Sequence, residues 1–279
     1  MRIAPHIAYG VLALATITAC NVDDGAGGSS TATTTRAGSD GTVWQPPVGV
    51  TWQWQLSGLP IDTSIDVAAY DVDLFTTTDK ELAALKADGR TVICYFSAGS
   101  WEELRPDAAD FPAATKANPL DAPFQDELWL DIRNAEVRTL MQRRLDLAVA
   151  RGCDAVEPDN VDGYRNDTGF ELTPADQLEY NRFIAAQAHA RGLSVGLKND
   201  IDQLADLEPD FDWALNEECF TFHECAQYQG NFLAANKAVF HAEYVDPNRL
   251  AEVCAVTAPL GLSTVIKKIE LDAYRLPCP

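Results

Sequence analysis

Four acidic side chains, Asp154, Glu157, Asp159 and Asp162, fall within nine consecutive residues of the chain. Their segment begins like a β-strand, and Pro158 should end its regular pairing because proline cannot donate a ladder hydrogen bond. Helical patterns precede and follow the segment. A carboxylate cluster at the carboxyl end of a strand between two helices is typical of the active sites of α/β barrels. The alternative is an acidic loop on a solvated surface, where Asp and Glu are usually found.

Eight strand-like segments can be counted after residue 42, and most of them are followed by helical or turn signals. These segments are 51–56, 65–70, 91–96, the one that carries Glu157 and Asp159, 193–197, 212–215, 238–242 and 263–266. Strands that alternate with helices predict an α/β fold, a (β/α)8 TIM barrel that forms a single domain over residues 43–279. A doubly wound open sheet is the alternative, but such sheets usually show a glycine-rich phosphate loop after the first strand. This sequence has no such loop.

The predicted strand ends share a chemistry, because most of them deliver charged side chains that a barrel would bring to one face. They carry Asp71 and Asp73, Ser97, Glu157 and Asp159, Lys198 and Asp200, Glu217 and Glu218, Glu243, and Lys267. Cleavage of a glycosidic bond needs two flanking carboxyl groups, one that gives a proton and one that attacks or stabilises the anomeric carbon. A neighbouring lysine could keep one of them ionised. The pattern therefore indicates a sugar-cleaving site.

Four motifs resemble signatures of glycoside hydrolase family 114, the endo-α-1,4-polygalactosaminidases. They are VICYFSAGSWE at 92–102, GCDAVEPDNVD at 152–162, GLKND at 196–200 and NEECF at 216–220, in the family's order. The resemblance runs from about Val43 to the C-terminus. It implies a (β/α)8 barrel, cleavage of galactosamine-rich exopolysaccharide, a catalytic Asp after the fourth strand and a catalytic Glu after the sixth. Those positions fall at Asp159 and Glu217, although Glu218 stands where family motifs often have Gln.

We expect Asp159 to act as nucleophile and Glu217 as general acid/base in a retaining mechanism, which requires closely spaced carboxyl groups. The expected substrate contacts are Asp71, Asp73, Tyr95, Ser97, Glu157, Lys198, Asp200 and Glu243. For these residues the alternative is a salt bridge at the end of the barrel, since structural ion pairs also perturb charged groups.

The charge of the chain argues against nucleic acid as a partner. It has 42 acidic against 21 basic residues and a formal net charge of −21, whereas phosphate binding needs the opposite sign. An acidic cleft would instead attract a cationic polysaccharide. His189, His223 and His241 show no HxxxH or HxH spacing, so no metal site is indicated. We expect no cofactor and a monomer.

The first residues predict export. Arg2 precedes an apolar run over 7–18 that is too short to span a bilayer. The run ends in Ile-Thr-Ala-Cys at 17–20, which resembles the lipobox of bacterial lipoproteins and implies a signal peptide at 1–19 and acylation of Cys20. An ordinary signal peptide cut near Ala19 is the alternative. Residues 20–42 are rich in Gly, Ser and Thr and predict a flexible tether. We therefore expect a protein anchored by lipid to a bacterial membrane or cell surface.

Six cysteines remain besides Cys20, and an even number in an exported chain suggests three disulfides. Six cysteines allow 15 pairings. Proximity favours Cys219 with Cys225, and Cys254 with Cys278 would clip the last helix to the C-terminus. Cys94 and Cys153 are then left, as a third disulfide or as two buried free thiols.

Two other functions remain open at this point. The enzyme could act on another α-linked amino-sugar or galactoside polymer. A tethered acidic barrel could also be a surface lipoprotein that binds polysaccharide without cleaving it, although the presence of both Asp159 and Glu217 argues against lost catalysis.

Overall fold

The computed structural model describes residues 43–279. The predicted signal peptide at 1–19, the acylation site Cys20 and the tether at 20–42 lie outside the described residues. None of the helices in the described part is long and apolar enough to cross a membrane.

Twelve strands and five α-helices make up the described part of the chain. The strands are β1 (Trp52–Gln55), β2 (Ala69–Asp73), β3 (Thr91–Ser97), β4 (Ser100–Glu102), β5 (Lys116–Pro119), β6 (Glu127–Leu130), β7 (Ala155–Asp159), β8 (Ser194–Lys198), β9 (Trp213–Glu217), β10 (Val239–Glu243), β11 (Ser263–Ile266) and β12 (Leu276–Pro277). The helices are α1 (Asp79–Ala87), α2 (Ala135–Ala150), α3 (Pro174–His189), α4 (Leu204–Leu207) and α5 (Leu250–Thr257).

Eight strands form a parallel sheet in the order β1-β2-β3-β7-β8-β9-β10-β11. The predicted (β/α)8 barrel is thereby confirmed. Its helical layer is incomplete: no α-helix lies between β1 and β2, and β9 and β10 are joined through a short 3-10 segment, Cys225–Gly230. The connections after β1 and β9 are therefore mostly loops at the carboxyl ends of these strands, where barrel enzymes keep their sites.

Local capping explains where the main helices begin. Thr78 and Glu81 form a capping box at the start of α1. Asn134 caps α2, accepting a hydrogen bond from the second residue of the helix. Thr173 caps α3 with Pro174 as the first helical residue. These side chains satisfy backbone N–H groups that a helix leaves unpaired at its amino end.

Pro158 ends strand pairing on one side only. The β7–β8 register stops at Val156, whereas the β3–β7 register runs through Pro158 to Asp159. The expectation that Pro158 ends regular pairing is therefore wrong for β3 and right for β8. In a parallel strand successive residues address opposite neighbours, so one missing N–H breaks one ladder alone. The result is that Asp159 stays fixed to β3.

A second, antiparallel sheet in the order β4-β6-β5 is inserted between β3 and α2. This part of the sequence contains Pro106, Pro112, Pro119 and Pro123. The inserted sheet and its loops carry Arg105, Leu120, Phe124 and Glu127 to the cavity at the carboxyl end of the barrel. It therefore supplies one wall of the candidate site.

Alternation along the strands separates an interior core from an outer one. Large side chains, including Trp52, Trp54, Trp213 and Phe240, fill the barrel interior. Gly196 faces them, and a Cβ at this position would lie 2.3 Å from the Trp213 ring. Only glycine leaves room for that ring.

A C-terminal seam, residues 271–278, lies between the first and last barrel strands. β12 pairs antiparallel with β11. On the other side, the Leu271 carbonyl accepts a hydrogen bond from the Leu56 N–H at 2.9 Å, and Arg275 donates to the Trp52 carbonyl at 2.7 Å. The segment therefore bridges strands that do not pair with each other directly in the described part of the chain.

Three disulfides join the six cysteines of the barrel domain. Cys219–Cys225 closes a loop after β9, and Cys254–Cys278 ties α5 to the C-terminal seam. Cys94–Cys153 joins β3 to the residues just before β7, across a sequence separation of 59. Cys94 and Cys153 are thus a disulfide and not two free thiols.

Candidate active site

A cavity of about 270 Å³ opens at the carboxyl ends of the barrel strands. Its lining includes Trp54, Asp73, Tyr95, Arg105, Glu127, Asp159, Lys198, Asn199, Glu217 and Tyr244. These residues come from seven barrel strands or the turns that follow them and from the inserted sheet and its loops. The barrel therefore brings together groups that are distant in sequence, as it does in enzymes of this architecture.

Lys198 lies at the centre of the site and is 2% exposed. Its Nζ is 2.8 Å from Glu157 Oε1, 3.0 Å from Asp159 Oδ1 and 3.2 Å from Glu217 Oε2. The Trp54 ring covers the ammonium at 4.8 Å. Burial alone would lower the pKa of Lys198, but the three carboxylates outweigh it and hold that pKa well above its ordinary value. Lys198 therefore stays charged and holds the three carboxylates together.

Asp159 and Glu217 both reach the cavity, with side chains 18% and 25% exposed. Because Asp159 Oδ1 and Glu217 Oε2 both contact Lys198 Nζ, these two oxygens are at most roughly 6 Å apart, which is below the ~6.5–9.5 Å carboxyl spacing of inverting glycosidases. The backbone N–H of Asn160 also donates to Asp159 Oδ1 at 2.7 Å. The arrangement is thus a fixed pair of carboxyl groups around a small open space.

Glu217 is positioned by donors on both of its oxygens. The Tyr244 hydroxyl donates to Oε1, and Asn199 Nδ2 donates to Oε2 at 3.4 Å. Asn199 Oδ1 accepts the Glu217 N–H at 2.9 Å. Glu218 has a left-handed φ of 64° and lines an adjacent cavity instead. Glu217 is therefore the residue that faces Lys198.

Asp71 and Glu157 lie beneath the cavity and are fully buried. Glu157 reaches Lys198, but neither residue lines the cavity. Burial raises the pKa of both carboxyl groups. The neighbouring Glu157 raises the pKa of Asp71 further, whereas Lys198 opposes the rise at Glu157. The structure thus places these two predicted substrate contacts below the cavity and outside its lining.

Ser97 and Asp73 each contact residues of the inserted sheet or its loops along one wall of the cavity. Ser97 is buried, and its Oγ is 2.6 Å from Ser100 Oγ, which donates to Glu127 Oε2 at 2.5 Å. Asp73 pairs with Arg105 at 2.6 Å. Burial raises the pKa of Glu127 to about 7. Asp73 lines the cavity, as does Tyr95 from the predicted set, whereas Ser97 supports its wall.

Asp200 lies at a second, adjacent cavity of about 560 Å³. Its carboxyl oxygens accept from Tyr164 at 3.2 Å and from Asn181 at 3.0 Å. Burial, and then the charge of Asp162, raise the pKa of Asp200 to about 7. The two cavities share residues that include Phe124, Glu217 and Tyr244, so the cleft continues across the barrel mouth.

Glu243 is the predicted substrate contact that the structure places farthest from this role. It is fully buried and accepts hydrogen bonds from Phe220 N and Thr221 Oγ1, at 2.7 and 2.9 Å. Side chains alternate along a strand, so the inward position at this strand end belongs to the next residue, Tyr244. Glu243 instead orders the loop after β9.

The sequence reasoning missed several residues of the site. They are Arg105, Glu127, Asn160, Asn199 and Tyr244. Strand parity could have identified Tyr244, because it continues the inward series of Phe240 and Ala242. The inserted sheet gave no comparable signal for Arg105 and Glu127.

Left-handed backbone follows the strand ends that carry Asp159, Lys198 and Glu217. Asn160, Asn199, Asp200 and Glu218 have φ values of 59°, 45°, 43° and 64°. Asparagine tolerates this region better than most residues, but none of the four adopts it without cost. Such strain clusters where a chain must turn sharply to aim functional side chains.

One cluster in the described residues has metal-ligand chemistry, Cys219, Cys225 and His241. The two cysteines form a disulfide with each other. Metal binding by cysteine requires thiolate, so this cluster as it stands offers only the imidazole.

Comparison with known proteins agrees with this geometry. The model of glycoside-hydrolase family GH114 matches residues 33–279. The crystal structure of Ega3 from Aspergillus fumigatus in complex with galactosamine is similar, with 41% identity, a TM-score of 0.81, and coverage of 86% of this chain and 100% of that chain. The glycoside hydrolase domain of PelA from Pseudomonas aeruginosa has a TM-score of 0.64 at 16% identity, covering 83% of this chain and 98% of that chain, and shows the fold alone. No curated protein matches the chain.

Proposed function

The chain belongs to glycoside-hydrolase family GH114 and is a glycoside hydrolase, and on that premise we propose that it cleaves α-1,4-linked, galactosamine-rich exopolysaccharide at internal bonds. The observation that carries this proposal is the pair Asp159 and Glu217, held on either side of Lys198 in an open cleft. The cleft extends into a second cavity, so a polymer can lie across the pair and need not enter by its end.

The proposed mechanism retains the configuration of the anomeric carbon. The Asp159 carboxylate attacks that carbon while the bond to the leaving oxygen breaks, and Glu217 donates its proton to that oxygen. Glu217 then takes a proton from water, which attacks the covalent intermediate and releases Asp159. Lys198, Asn199 and Tyr244 fix the geometry of the two carboxyl groups, which is the main requirement for such a reaction.

Charge supports an amino sugar as the substrate. De-N-acetylated galactosamine is cationic. The cavity lining has two cationic residues, Arg105 and Lys198, against six acidic ones, Asp73, Glu127, Asp159, Asp162, Glu217 and Glu270. Both cations are already engaged by protein carboxylates. The remaining negative charge would attract the polymer and hold its ammonium groups. The solved Ega3 structure, which contains galactosamine, is consistent with this choice.

We also propose that the enzyme is exported and anchored through an acylated Cys20, and that it acts as a monomer without metal or cofactor. The lipobox-like sequence at 17–20 supports the anchor. Expression in a bacterium fed a labelled fatty acid tests it: the wild-type protein should carry the label, and Cys20→Ser should not.

Product analysis tests the activity. The protein without residues 1–20, and its Asp159→Asn and Glu217→Gln forms, would be incubated with partially deacetylated α-1,4-galactosaminogalactan, and chain length followed by mass spectrometry. Glu136→Gln, an exposed change on α2, serves as the matched control. Oligosaccharides from the parent and the control, but not from the other two variants, are expected. Binding without cleavage by the parent would favour a polysaccharide-binding protein. If the parent neither binds nor cleaves this polymer, the substrate would be another α-linked polymer.

Proton NMR of the first products separates the mechanisms. A retaining enzyme initially releases the α-anomer from an α-linkage, whereas an inverting one releases the β-anomer. Azide added to Asp159→Gly should restore turnover and give a glycosyl azide of inverted configuration if Asp159 is the nucleophile. A glycosyl azide of inverted configuration from a Glu217 variant would reverse the two assignments, whereas one of retained configuration would agree with Glu217 as general acid/base, because azide then attacks the covalent intermediate.

A further inference from the structure

Two buried carboxyl groups below the cleft have oxygens without a donor. Asp71 is 0% exposed, and both of its carboxyl oxygens lack a hydrogen-bond partner among the described residues. Glu157 is also 0% exposed, and its Oε2 has no donor, while its Oε1 meets Lys198. The two carboxyl groups contact each other. A buried acceptor without a donor is unfavourable, so this arrangement calls for a hydrogen that joins the two groups.

The surroundings determine which group carries that hydrogen. Glu157 has Lys198 at 2.8 Å, which favours its ionised form. Asp71 has no cation of its own within hydrogen-bonding distance in the described structure. Two like charges in contact away from water cannot both persist, as in other carboxyl pairs that share one proton. The hydrogen therefore belongs to Asp71.

We propose that Asp71 is a protonated carboxylic acid that donates a hydrogen bond to Glu157 Oε2, and that it thereby acts as a positioning residue for the Lys198 centre. The bond holds Glu157 as an ionised partner of Lys198. Lys198 then divides its charge among three carboxylates and does not concentrate it on Asp159 and Glu217. The effect of Asp71 on the reaction rests on the function proposed above, whereas the protonation of Asp71 does not.

The charged and titratable groups that face the pair are few. From β7 there is Asp159, and from β8 Lys198, which opposes the repulsion between the carboxyl groups. Tyr95 of β3 and Tyr244 after β10 also face Glu157. β1 places the uncharged Trp54 in register with Asp71. Burial and the neighbouring Glu157 raise the pKa of Asp71 well above its ordinary value, which agrees with the neutral form.

Neutral replacements at Asp71 distinguish a proton donor from a negative charge. Asn can donate from its amide to Glu157 Oε2, whereas Leu of similar size cannot. Without a donor, Glu157 takes up a proton, and the positive charge of Lys198 then acts on Asp159 and Glu217 alone. The stronger positive field at Glu217 favours loss of the proton that this general acid must give. We therefore expect Asp71→Asn to stay within about threefold of the parent rate, and Asp71→Leu to lose about tenfold or more with its alkaline limit moved to lower pH.

Infrared difference spectroscopy tests the protonation without any substrate. Above about pH 8, where Asp200 and Glu127 with pKa values of about 7 are mostly ionised, the whole enzyme should still show the carbonyl band of a buried carboxylic acid, and Asp71→Asn should lose that band. Asp88→Asn, an exposed change after α1, is the control and should keep it. A spectrum unchanged by Asp71→Asn would overturn the proposal even if no polysaccharide is cleaved.

The pH dependence of kcat/KM is the second measurement. Equal displacement of the profile by Asp71→Asn and Asp71→Leu would mean that Asp71 acts through a negative charge, and would overturn the proposal. Circular dichroism would establish that each variant folds. If Asp71→Leu does not fold, the infrared band and the Asp71→Asn profile still decide the question, because a charged Asp71 predicts a shifted profile for Asn as well.

Discussion

Tyr244 donates its hydroxyl hydrogen to Glu217 Oε1 from the strand beside the one that carries Glu217. The other oxygen of Glu217 meets Lys198 and Asn199. Each oxygen therefore has its own donor, and the carboxyl group cannot rotate without losing one of them. A group that gives and takes a proton at a defined atom needs a fixed orientation, and the hydrogen bonds to Glu217 supply it.

Replacement of Tyr244 by Phe removes this donor without leaving a cavity. We expect kcat to fall by about tenfold to a hundredfold, because small displacements of a reacting group carry costs of this size. KM should change little, since the side chain acts on Glu217. Steady-state kinetics would measure both constants, with Tyr274→Phe, outside the cavity lining, as the control. A raised KM at unchanged kcat would instead make Tyr244 a substrate contact.

Replacement of Lys198 by Met leaves three carboxylates without their cation. Removal of one partner from a buried ion pair costs about 3–5 kcal/mol, and we expect a loss of stability in this range together with loss of activity. Urea denaturation would measure the free energy of unfolding. Lys268→Met breaks an exposed pair with Asp272 and should change little. Equal effects of the two changes would contradict the central position given to Lys198.

The disulfides should contribute unequally to stability. In the chain-entropy model, Cys94–Cys153, with a separation of 59, contributes about 4 kcal/mol, and Cys219–Cys225, with a separation of 6, about 2 kcal/mol. Paired alanine variants of each bridge, unfolded in urea, test this order. If removal of Cys219–Cys225 costs more, the bridge acts by ordering the loop beside Glu217 in the native state.

Asp200 should make the fold less stable as the solution becomes less acidic. Burial raises its pKa from 3.8 to about 7, so the folded state holds a proton that the unfolded chain has already lost. The stabilisation from the neutral form is complete below pH 3.8 and is lost as pH rises through about 7. Glu127 and Asp162, with pKa values raised mainly by burial to about 7 and about 6, act in the same direction.

Calorimetry across this pH range would test the effect. The melting temperature of the parent should fall as pH rises, and Asp200→Asn should flatten the slope. Asp202→Asn, an exposed change nearby, is the control. A melting temperature that rises with pH, or an Asp200→Asn profile parallel to the parent, would contradict the assignment.

Glu127 offers a test of the charge of the substrate. Its carboxyl lines the cavity and is bonded to Ser100. We expect Glu127→Gln to raise KM for a deacetylated substrate by about tenfold at unchanged kcat. A change of this size corresponds to the free energy of one hydrogen bond between charged groups. Glu136→Gln should leave both constants unchanged. A matching fall in kcat would show that Glu127 takes part in the reaction step.

Periodicity and strand-end chemistry were sufficient to predict the barrel and the positions of Asp159, Lys198 and Glu217 in it. The prediction of site residues was poorest where a shift of one position along a strand changes whether a side chain points into the cleft. Glu243 was selected by residue type, but alternation points Tyr244 into the cleft. Strand β2 begins at Ala69 and not at 65, so Asp71 lies inside the strand and is buried beneath the cavity.

The inserted sheet could not have been predicted from pattern in the same way. Its strands are three or four residues long, and β5 ends at a proline with an irregular register against β6. Segments this short carry too few alternations to stand out, and their pairing depends on contacts with the barrel. The position of Glu127 beside Asp159 is therefore a consequence of tertiary structure.

The C-terminal seam also protects the protein from self-association. β1 and β11 would otherwise each present a row of unpaired N–H and C=O groups, and such edges recruit strands from other molecules. Cys254–Cys278 fastens the cover in place. Reduction of that one disulfide would therefore loosen the C-terminal seam from two sheet edges at once. Aggregation, more than unfolding, would then limit how long the reduced enzyme stays in solution.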